Sequence, residues 1–350
     1  MIGSIARVPS FVASGRITQD TVKLVFRDGA TPADISYIHW VLRTPQYRAY
    51  CAGHAMGSAV VALSRSDFLK YPIPPASPAT RVVVSLLDSI DSKIELNRRM
   101  AVTLEEMARA LFKSWFVDFN PVRAKAEGRD PSLPAATAAL FPNRFSEDGL
   151  PVGWRTGTLA DVALLNPESR GSVSEGEIVY VDLANTKWGI IEETQYFRPD
   201  DAPSRAQRVL RSGDTIVGTV RPGNGSYALV ASDGMIGSTG FAVLRPRTLS
   251  LREFVYLATT SDENISALAA LADGGAYPAV RPDVVADTPC CLPPANVLEA
   301  FHTVAVAIVD RIAAARSQSA ELAAIRDTLL PKLISGELRI KDAAATVVAA

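Results

Sequence analysis

The feature that most constrains this chain is a run of apolar residues spaced alternately by four and three positions. The run sits in the segment that follows Pro78 and lasts for more than four heptads. Such spacing is the a/d period of a coiled-coil seam. A helix of ~33 residues is ~50 Å long and cannot bury its seam alone, so a partner helix is required. The positions are Val83, Leu87, Ile90, Ile94, Asn97, Ala101, Leu104, Ala108, Leu111 and Trp115.

The same spacing returns near the C-terminal end, each position lying 218 residues after its counterpart. The preceding segments match too, as YPIPPA at 71–76 and CCLPPA at 290–295. The pattern predicts an internal repeat whose two long helices pair with each other. The alternative is two unrelated amphipathic helices, since heptads are common. The second seam comprises Phe301, Ala305, Ile308, Ile312, Ala315, Ser319, Leu322, Arg326, Leu329 and Leu333.

Composition sets broad limits on the class of protein. The 350 residues leave room for two or three domains, and the formal net charge of −1 argues against a general polyanion binder. Three cysteines without zinc or disulfide spacing favour a reducing cytosol. No apolar run is long enough for a transmembrane helix, and the N-terminus lacks a signal-peptide pattern. We therefore expect a cytoplasmic protein with no membrane association.

The chain is predicted to be α+β, with two globular α/β domains and two long helices that pair with each other as a coiled coil. The first domain shows a strand pattern at 17–26 and a helix pattern at 34–51 that Pro45 breaks or kinks. In the second, strands are predicted at 176–184, 213–221, 227–231 and 240–247, and helices at 251–260 and 263–272. The predicted boundaries are 1–76 (first domain), 77–120 (first long helix), 121–150 (linker, wrapped on its neighbours or loose), 151–293 (second domain), 294–336 (second long helix) and 337–350 (tail).

Aligning the two copies from their long helices makes the first domain look partial. Thr21–Val25 falls on Gly240–Leu244. The second copy extends about 70 residues further upstream, to about residue 151, with no counterpart in the first. The alignment predicts that the first domain retains only its C-terminal part.

Two segments carry a resemblance to a known family. KIELNRRMAVTLEEMARALFKSWFVDFNPVRAKAEGR (93–129) and RDTLLPKLISGELRI (326–340) resemble the two repeated regions of specificity subunits of type I restriction-modification enzymes. The resemblance implies two target-recognition domains that each read half of a split DNA sequence. It also implies that these α/β domains are separated by the two long helices, which form an antiparallel coiled coil. It implies docking of methyltransferase (M) and restriction (R) subunits, which would use S-adenosylmethionine, ATP and Mg²⁺, while this chain needs no cofactor. Self-association is a further possibility.

The remaining motifs do not support catalysis by the chain itself. Asn120-Pro121-Val122 lacks the rest of an adenine-methyltransferase motif, and a proline that stops a helix explains it better. Arg221–Gly225 carries two glycines after a strand but has neither a P-loop lysine nor a dinucleotide fingerprint. The three histidines are scattered and form no metal set or triad. Catalysis is therefore expected in partner subunits.

DNA binding needs cations for phosphates and side chains that reach base edges. Any one arginine is more often a solvated surface residue, and Asp200, Asp201 and Asp214 dilute the positive charge. Loops carried by a rigid scaffold are the favoured positions. The candidate DNA-binding residues are Lys187, Arg198, Arg205, Arg208, Arg211, Arg221, Asn224, Tyr227, Tyr277 and Arg281.

The seams supply candidates for partner docking and for the coiled coil. Asn97 interrupts an apolar seam, where a polar residue either fixes register or bonds a docked partner. Two rival functions stay open: a helical interaction scaffold or inactive fragment that does not bind DNA, and a nuclease fused to a helical spacer. The docking candidates are Leu87, Ile90, Ile94, Asn97, Leu104, Leu111, Trp115, Ile308, Ile312, Leu322, Leu329 and Leu333.

Overall fold

The computed structural model describes residues 2–8, 12–18, 21–57, 62–171 and 176–334. Backbone contacts divide the chain into two units, which are described separately. The first unit comprises Met1–Met100 and Ala314–Ala350, and the second comprises Ala101–Ala313. Across the described residues, no helix is both long and apolar enough to cross a membrane.

The first unit is built from helices α1 (Pro32–Val41), α2 (Pro45–Gly53) and α3 (Arg65–Lys70), followed by the start of α4 (Pro78–Phe116). The side chains of Thr31, Thr44 and Ser64 each accept a backbone N–H at the N-terminus of one short helix. The helix predicted at 34–51 is thus divided where Pro45 was expected to break it. Pro45 begins α2, a position that tolerates its missing N–H.

The strand predicted at 17–26 is wrong wherever the structure describes that segment. Residues 17–18 and 21–26 lie outside any strand, and Val22 and Val25 remain 51% and 77% exposed. An extended segment becomes a strand only when a neighbouring strand takes up its backbone hydrogen bonds. The apolar pattern was present, but no described strand lies beside it.

The second unit combines short helices with twelve strands among its described residues. The predicted strands at 176–184, 213–221, 227–231 and 240–247 and the helices at 251–260 and 263–272 are confirmed. The elements are α5 (Asn120–Ala126), α6 (Ala135–Ala139), β1 (Arg155–Thr158), α7 (Leu159–Val162), β2 (Ala163–Leu165), β3 (Ile178–Val181), β4 (Thr186–Lys187), β5 (Ile190–Ile191), β6 (Gln195–Phe197), β7 (Ala206–Leu210), β8 (Thr215–Gly218), β9 (Tyr227–Leu229), β10 (Met235–Ser238), β11 (Phe241–Pro246), α8 (Arg252–Thr259), α9 (Asp262–Leu271), α10 (Pro282–Ala286), β12 (Pro289–Leu292) and α11 (Ala295–Ile334).

Two four-stranded sheets form the body of the second unit. Their strand orders are β6-β3-β10-β7 and β2-β11-β8-β9, and β1-β12 and β4-β5 form separate two-stranded pairs. One apolar cluster joins both larger sheets and includes Val181, Leu210, Ile216 and Phe241. On its other face β11 packs into a core with α8 and the long helices, through Ala242 and Leu244. Strand β11 is therefore buried on both faces.

The two long helices pair with each other, as the repeated seams predicted, and they run in opposite directions, as the resemblance implied. In the first unit Leu87 packs with Leu329, and Asn97 Nδ2 donates to Gln318 Oε1 at 2.8 Å. In the second unit the rings of Phe116 and Phe301 lie 4.9 Å apart. Of the other seam residues, Ile90, Ile94, Ile312 and Trp115 are buried and Leu104, Leu111, Ile308 and Leu322 are half-buried, whereas the side chain of Leu333 lies outside the described part.

The segment after α4 packs within the second unit. Phe119 adopts a left-handed backbone (φ 54°), and Pro121 then opens α5 with Val122 buried. Phe141 lies edge-on to Trp115, with ring centroids 4.9 Å apart. Of the two possibilities left open for 121–150, the structure favours a wrapped segment. The predicted end of α11 near Gly336 and the tail lie outside the described residues.

Candidate nucleic-acid interface

Three loops of the second unit meet beside the β2-β11-β8-β9 sheet. They are the tip of the β4–β5 hairpin, the turn Pro222–Asn224 after β8, and residues 273–279. The Trp188 N–H donates to the Gly225 carbonyl at 2.7 Å, and the Arg221 N–H donates to the Pro278 carbonyl at 2.7 Å. These backbone bonds bring Lys187, Trp188, Arg221, Asn224 and Tyr277 onto what we call the three-loop surface.

The backbone of this surface is held in an uncommon conformation. Trp188 and Arg221 have φ values of 49° and 48°, in the left-handed region that few non-glycine residues adopt. Gly225 also has positive φ, and a Cβ there would lie 2.6 Å from the Trp188 ring. Only glycine fits beneath the indole. Strain of this kind clusters at functional sites, so it marks the three-loop surface for attention.

Aromatic and cationic side chains lie together on this surface. Trp188 and Tyr277 are 54% and 69% exposed. The Arg221 guanidinium lies 4.6 Å from the Tyr277 ring centroid and donates to the Ala276 carbonyl at 2.6 Å. Exposed rings can stack on bases, and a nearby cation can neutralise a phosphate. Tyr277, Arg221, Asn224 and Lys187 were singled out from the sequence, and the structure brings them together.

Tyr227 corrects one sequence assignment. It was expected among DNA-contacting residues, yet it is only 3% exposed, and its hydroxyl accepts a hydrogen bond from Arg109 Nη2 at 3.1 Å. Its ring meets Trp188 edge-on at 5.9 Å. Tyr227 sits in β9, on a sheet whose apolar environment could not be read from local spacing. Tyr227 therefore supports the three-loop surface through its buried contact with Trp188.

Four further candidate arginines lie along the other four-stranded sheet. Arg198 follows β6 and Arg205 precedes β7, and both side chains are exposed. Arg208, within β7, is half-buried, and burial lowers the pKa of its guanidinium. Its Nε is buried and has no hydrogen-bond partner among the described residues. Arg198 and Arg205 are thus placed to meet a ligand, whereas Arg208 is partly enclosed.

Arg211 is fixed in an ion-pair network. Its Nη2 and Nε donate to Glu168 at 2.7 and 3.1 Å. Arg245 also donates to Glu168 and, through two bonds of 2.9 Å, to buried Asp214. Hydrogen bonds from Arg211 and Arg245 hold the pKa of Glu168 below its ordinary value. Arg211 therefore links the loop after β7 to Glu168. Because its guanidinium is already paired, it is a weaker candidate for a DNA contact.

Arg281 lies at the N-terminus of α10. Its side chain is 80% exposed and pairs with Asp283, with 2.8 Å between nitrogen and oxygen. An exposed ion pair contributes little to stability, so a DNA phosphate can replace Asp283 as the partner of Arg281 at little cost. Arg281 therefore keeps its place among the candidate contacts.

In the part of the chain that the structure describes, no group of three or more His, Cys, Asp or Glu side chains could hold a metal ion. His302 Nδ1 lies 2.5 Å from a carboxylate oxygen of Glu253, which is fully buried. Burial raises the pKa of Cys290 to about 12 and that of Cys291 to about 11. Both thiols are protonated at neutral pH and are poor nucleophiles.

Two side chains of this region are absent from the candidate list drawn from the sequence. Trp188 is the neighbour of Lys187, and a bulky apolar residue in a turn is the signal that could have selected it. Arg109 lies off the apolar seam of α4. Its spacing of four from Glu105 indicates an ion pair, but nothing local indicates its contact with Tyr227, which lies 118 positions away.

Comparison with known proteins places the chain beside one group. The type I restriction enzyme HindI specificity subunit of Haemophilus influenzae is 25% identical over 317 residues, covering 75% of this chain and 68% of that protein. The MjaIX specificity subunit of Methanocaldococcus jannaschii is 22% identical over 328 residues, covering 87% and 69%. No protein-family profile matches the chain.

Solved structures give the fold. The S subunit of a type I restriction-modification system from M. genitalium superposes with a TM-score of 0.53 at 14% identity, covering 87% of this chain and 74% of that one. The HsdS subunit from Thermoanaerobacter tengcongensis is 34% identical over 53% of this chain, with a TM-score of 0.40, and the match spans about half (49%) of that structure. The chain therefore shares its fold with a solved S subunit, and the curated proteins it resembles are type I specificity subunits.

Proposed function

We propose that the chain is the DNA-reading specificity subunit of a type I restriction-modification complex. The observation that carries the proposal is the three-loop surface, where two exposed aromatic rings and two cations converge on strained loops. The curated relatives, aligned over three quarters or more of the chain, support it. In this role the chain binds double-stranded DNA and performs no chemistry of its own.

The residues of the second unit divide into two kinds of contact. Lys187, Arg221, Arg198 and Arg205 are placed to neutralise phosphates, which gives affinity without sequence information. Asn224 has the amide that pairs with the N6 and N7 edge of adenine, and the Trp188 and Tyr277 rings offer apolar or stacking contacts to bases. Sequence discrimination therefore comes from the loop tips.

The long helices are the proposed docking elements for the methyltransferase and restriction subunits. Those partners would hold S-adenosylmethionine, ATP and Mg²⁺, and the complex would work in the cytoplasm. Reading of the second half of a split target falls to the first unit, whose recognition domain we take to be partial, or to a second copy of the chain.

The proposal is tested by gel shift with the chain and its co-expressed methyltransferase subunit on genomic DNA fragments. Replacing Lys187 and Arg221 by Ala together should weaken binding about 10- to 100-fold at moderate salt and lower the salt slope by about two, because two phosphate contacts are lost. Arg129→Ala, an exposed arginine after α5, is the matched control. Salt-independent binding, or none by the unaltered complex, would support a scaffold instead.

A further inference from the structure

Arg109 of α4 reaches into the second unit with an unusually complete set of partners. Its Nη1 donates to the Thr260 carbonyl at 2.6 Å. Its Nη2 donates to Glu105 Oε1 at 3.0 Å and to the Tyr227 hydroxyl at 3.1 Å. The side chain is only 24% exposed. One guanidinium thus joins the long helix, the C-terminus of α8 and strand β9.

Tyr227 connects Arg109 to the three-loop surface through contacts with Trp188 and Gly189. Its ring contacts Trp188 edge-on, and its carbonyl accepts the Gly189 N–H at 2.9 Å. Trp188 in turn covers Gly225, where no side chain would fit. The Trp188 indole is therefore held between Tyr227 and the turn at Gly225. Its exposed side keeps its orientation only while Tyr227 stays in place.

The chemistry of these groups suits a rigid connection. Burial raises the pKa of Tyr227, so the hydroxyl stays neutral and can accept the charge-assisted bond from Arg109. An arginine is needed because its planar fork satisfies three acceptors at once, whereas a lysine ammonium on a flexible stem cannot reach all of them in the same geometry.

We propose that Arg109 is a positioning residue for DNA recognition, which holds Trp188 and the β4–β5 hairpin in their DNA-facing conformation through Tyr227. This role rests on the proposed function of the three-loop surface. Arg109 does not itself touch DNA. A residue of the helix, remote in sequence from every loop of the surface, thereby sets how that surface is presented.

The test uses the full chain with its methyltransferase subunit. It compares Tyr227→Phe and Arg109→Lys with Arg98→Ala, an exposed arginine of the same helix, and it includes Arg109→Ala as the variant that removes the charge. Tyr227→Phe removes one acceptor and keeps the ring. Two readouts are needed: acrylamide quenching of Trp188, taken as the difference from a Trp188→Phe chain, and DNA affinity as a function of salt.

Both variants should raise Trp188 quenching about twofold and weaken DNA binding about tenfold, which corresponds to one lost hydrogen bond to a charged group. The salt slope should not change, because no phosphate contact is removed. Arg98→Ala should leave both readouts unaltered. Arg109→Lys should recover part of the affinity that Arg109→Ala loses.

The outcomes separate cleanly. A salt slope reduced by about one in Arg109→Ala, which removes the charge, would place Arg109 on a phosphate and overturn the positioning role. Unaltered affinity in both variants, with the unaltered complex binding DNA, would overturn it as well and leave the proposed function standing. No binding by the unaltered complex would overturn the proposed function, and with it this inference.

Discussion

The two halves of the internal repeat fold alike in their helices and differently in their strands. Helices of the second copy begin 217 positions after those of the first, and an isolated β-bridge recurs as Met56–Ala62 and Asp273–Ala279. The matching helix starts are Pro45, Arg65 and Pro78 in the first copy and Asp262, Pro282 and Ala295 in the second. A helix satisfies its backbone hydrogen bonds internally, so the same pattern gives the same element in either copy.

The strand that precedes these helices shows the opposite behaviour. Phe241–Pro246 is a central strand paired with both β2 and β8, and Val243 is 1% exposed. The matching stretch 22–27 lies outside any strand, and Leu24 and Val25 are 39% and 77% exposed. In the second copy the pairing strands belong to 151–222, the part without a described counterpart. A strand pattern therefore depends on its neighbours in a way that a helix pattern does not.

The same substitution at one valine of each copy, Val243 and Val25, should give the largest effect. Val243→Asp buries a charge without a partner and should unfold the second unit or cost more than about 4 kcal/mol. Val25→Asp at an exposed site should change the free energy of unfolding by less than about 0.5 kcal/mol. Urea denaturation followed by circular dichroism measures both. A similar loss in both variants would show that 22–26 is buried as β11 is.

A second difference between the copies lies on the seam, where Asn97 in α4 corresponds to Ala315 in α11. Asn97 is 1% exposed, and its Oδ1 has no hydrogen-bond partner among the described residues. Asn97→Leu should raise the free energy of unfolding by about 1 kcal/mol, because a buried polar group left unpaired is costly. Ala315→Leu is the control and should lower stability by overpacking. A lower melting temperature for Asn97→Leu would mean that its bond to Gln318 outweighs this cost.

A pH-dependent difference concerns the histidines, which the two units surround differently. Glu253 faces His302, whereas burial, with Arg7 and Arg43 nearby, lowers the pKa of His39 to about 4. The unfolded chain protonates His39 below about pH 6.5, but the folded chain does so only near 4. Stability is therefore retained above pH 6.5 and falls as the pH drops towards 4, by at most about 1.4 kcal/mol per unit. His39→Gln should flatten this slope in urea midpoints measured from pH 7 to 4.5, and an unchanged slope would contradict the burial effect.

How far sequence predicts this molecule depends on the range of the interaction. The seams, the break at Pro45 and four of the second unit's strands (β3, β8, β9 and β11) follow from local spacing and were predicted correctly. The burial of Tyr227 and the pairing of Arg211 were not, since Glu168 lies 43 positions from Arg211 and Arg109 lies 118 from Tyr227. The local sequence around a loop arginine does not show whether its side chain contacts solvent, a phosphate or a carboxylate. Only the three-dimensional arrangement separates these cases.

The adjacent thiols of β12 can report how often the β1–β12 strand pair opens. Because Cys290 and Cys291 stay protonated in the closed β1–β12 pair, an alkylating reagent at neutral pH should react with them mainly when the pair frays and the pKa values return towards that of a free thiol. Strand β12 leads directly into α11. The labelling rate of these two cysteines would therefore report, without any engineered label, how often the strand pair that precedes α11 opens.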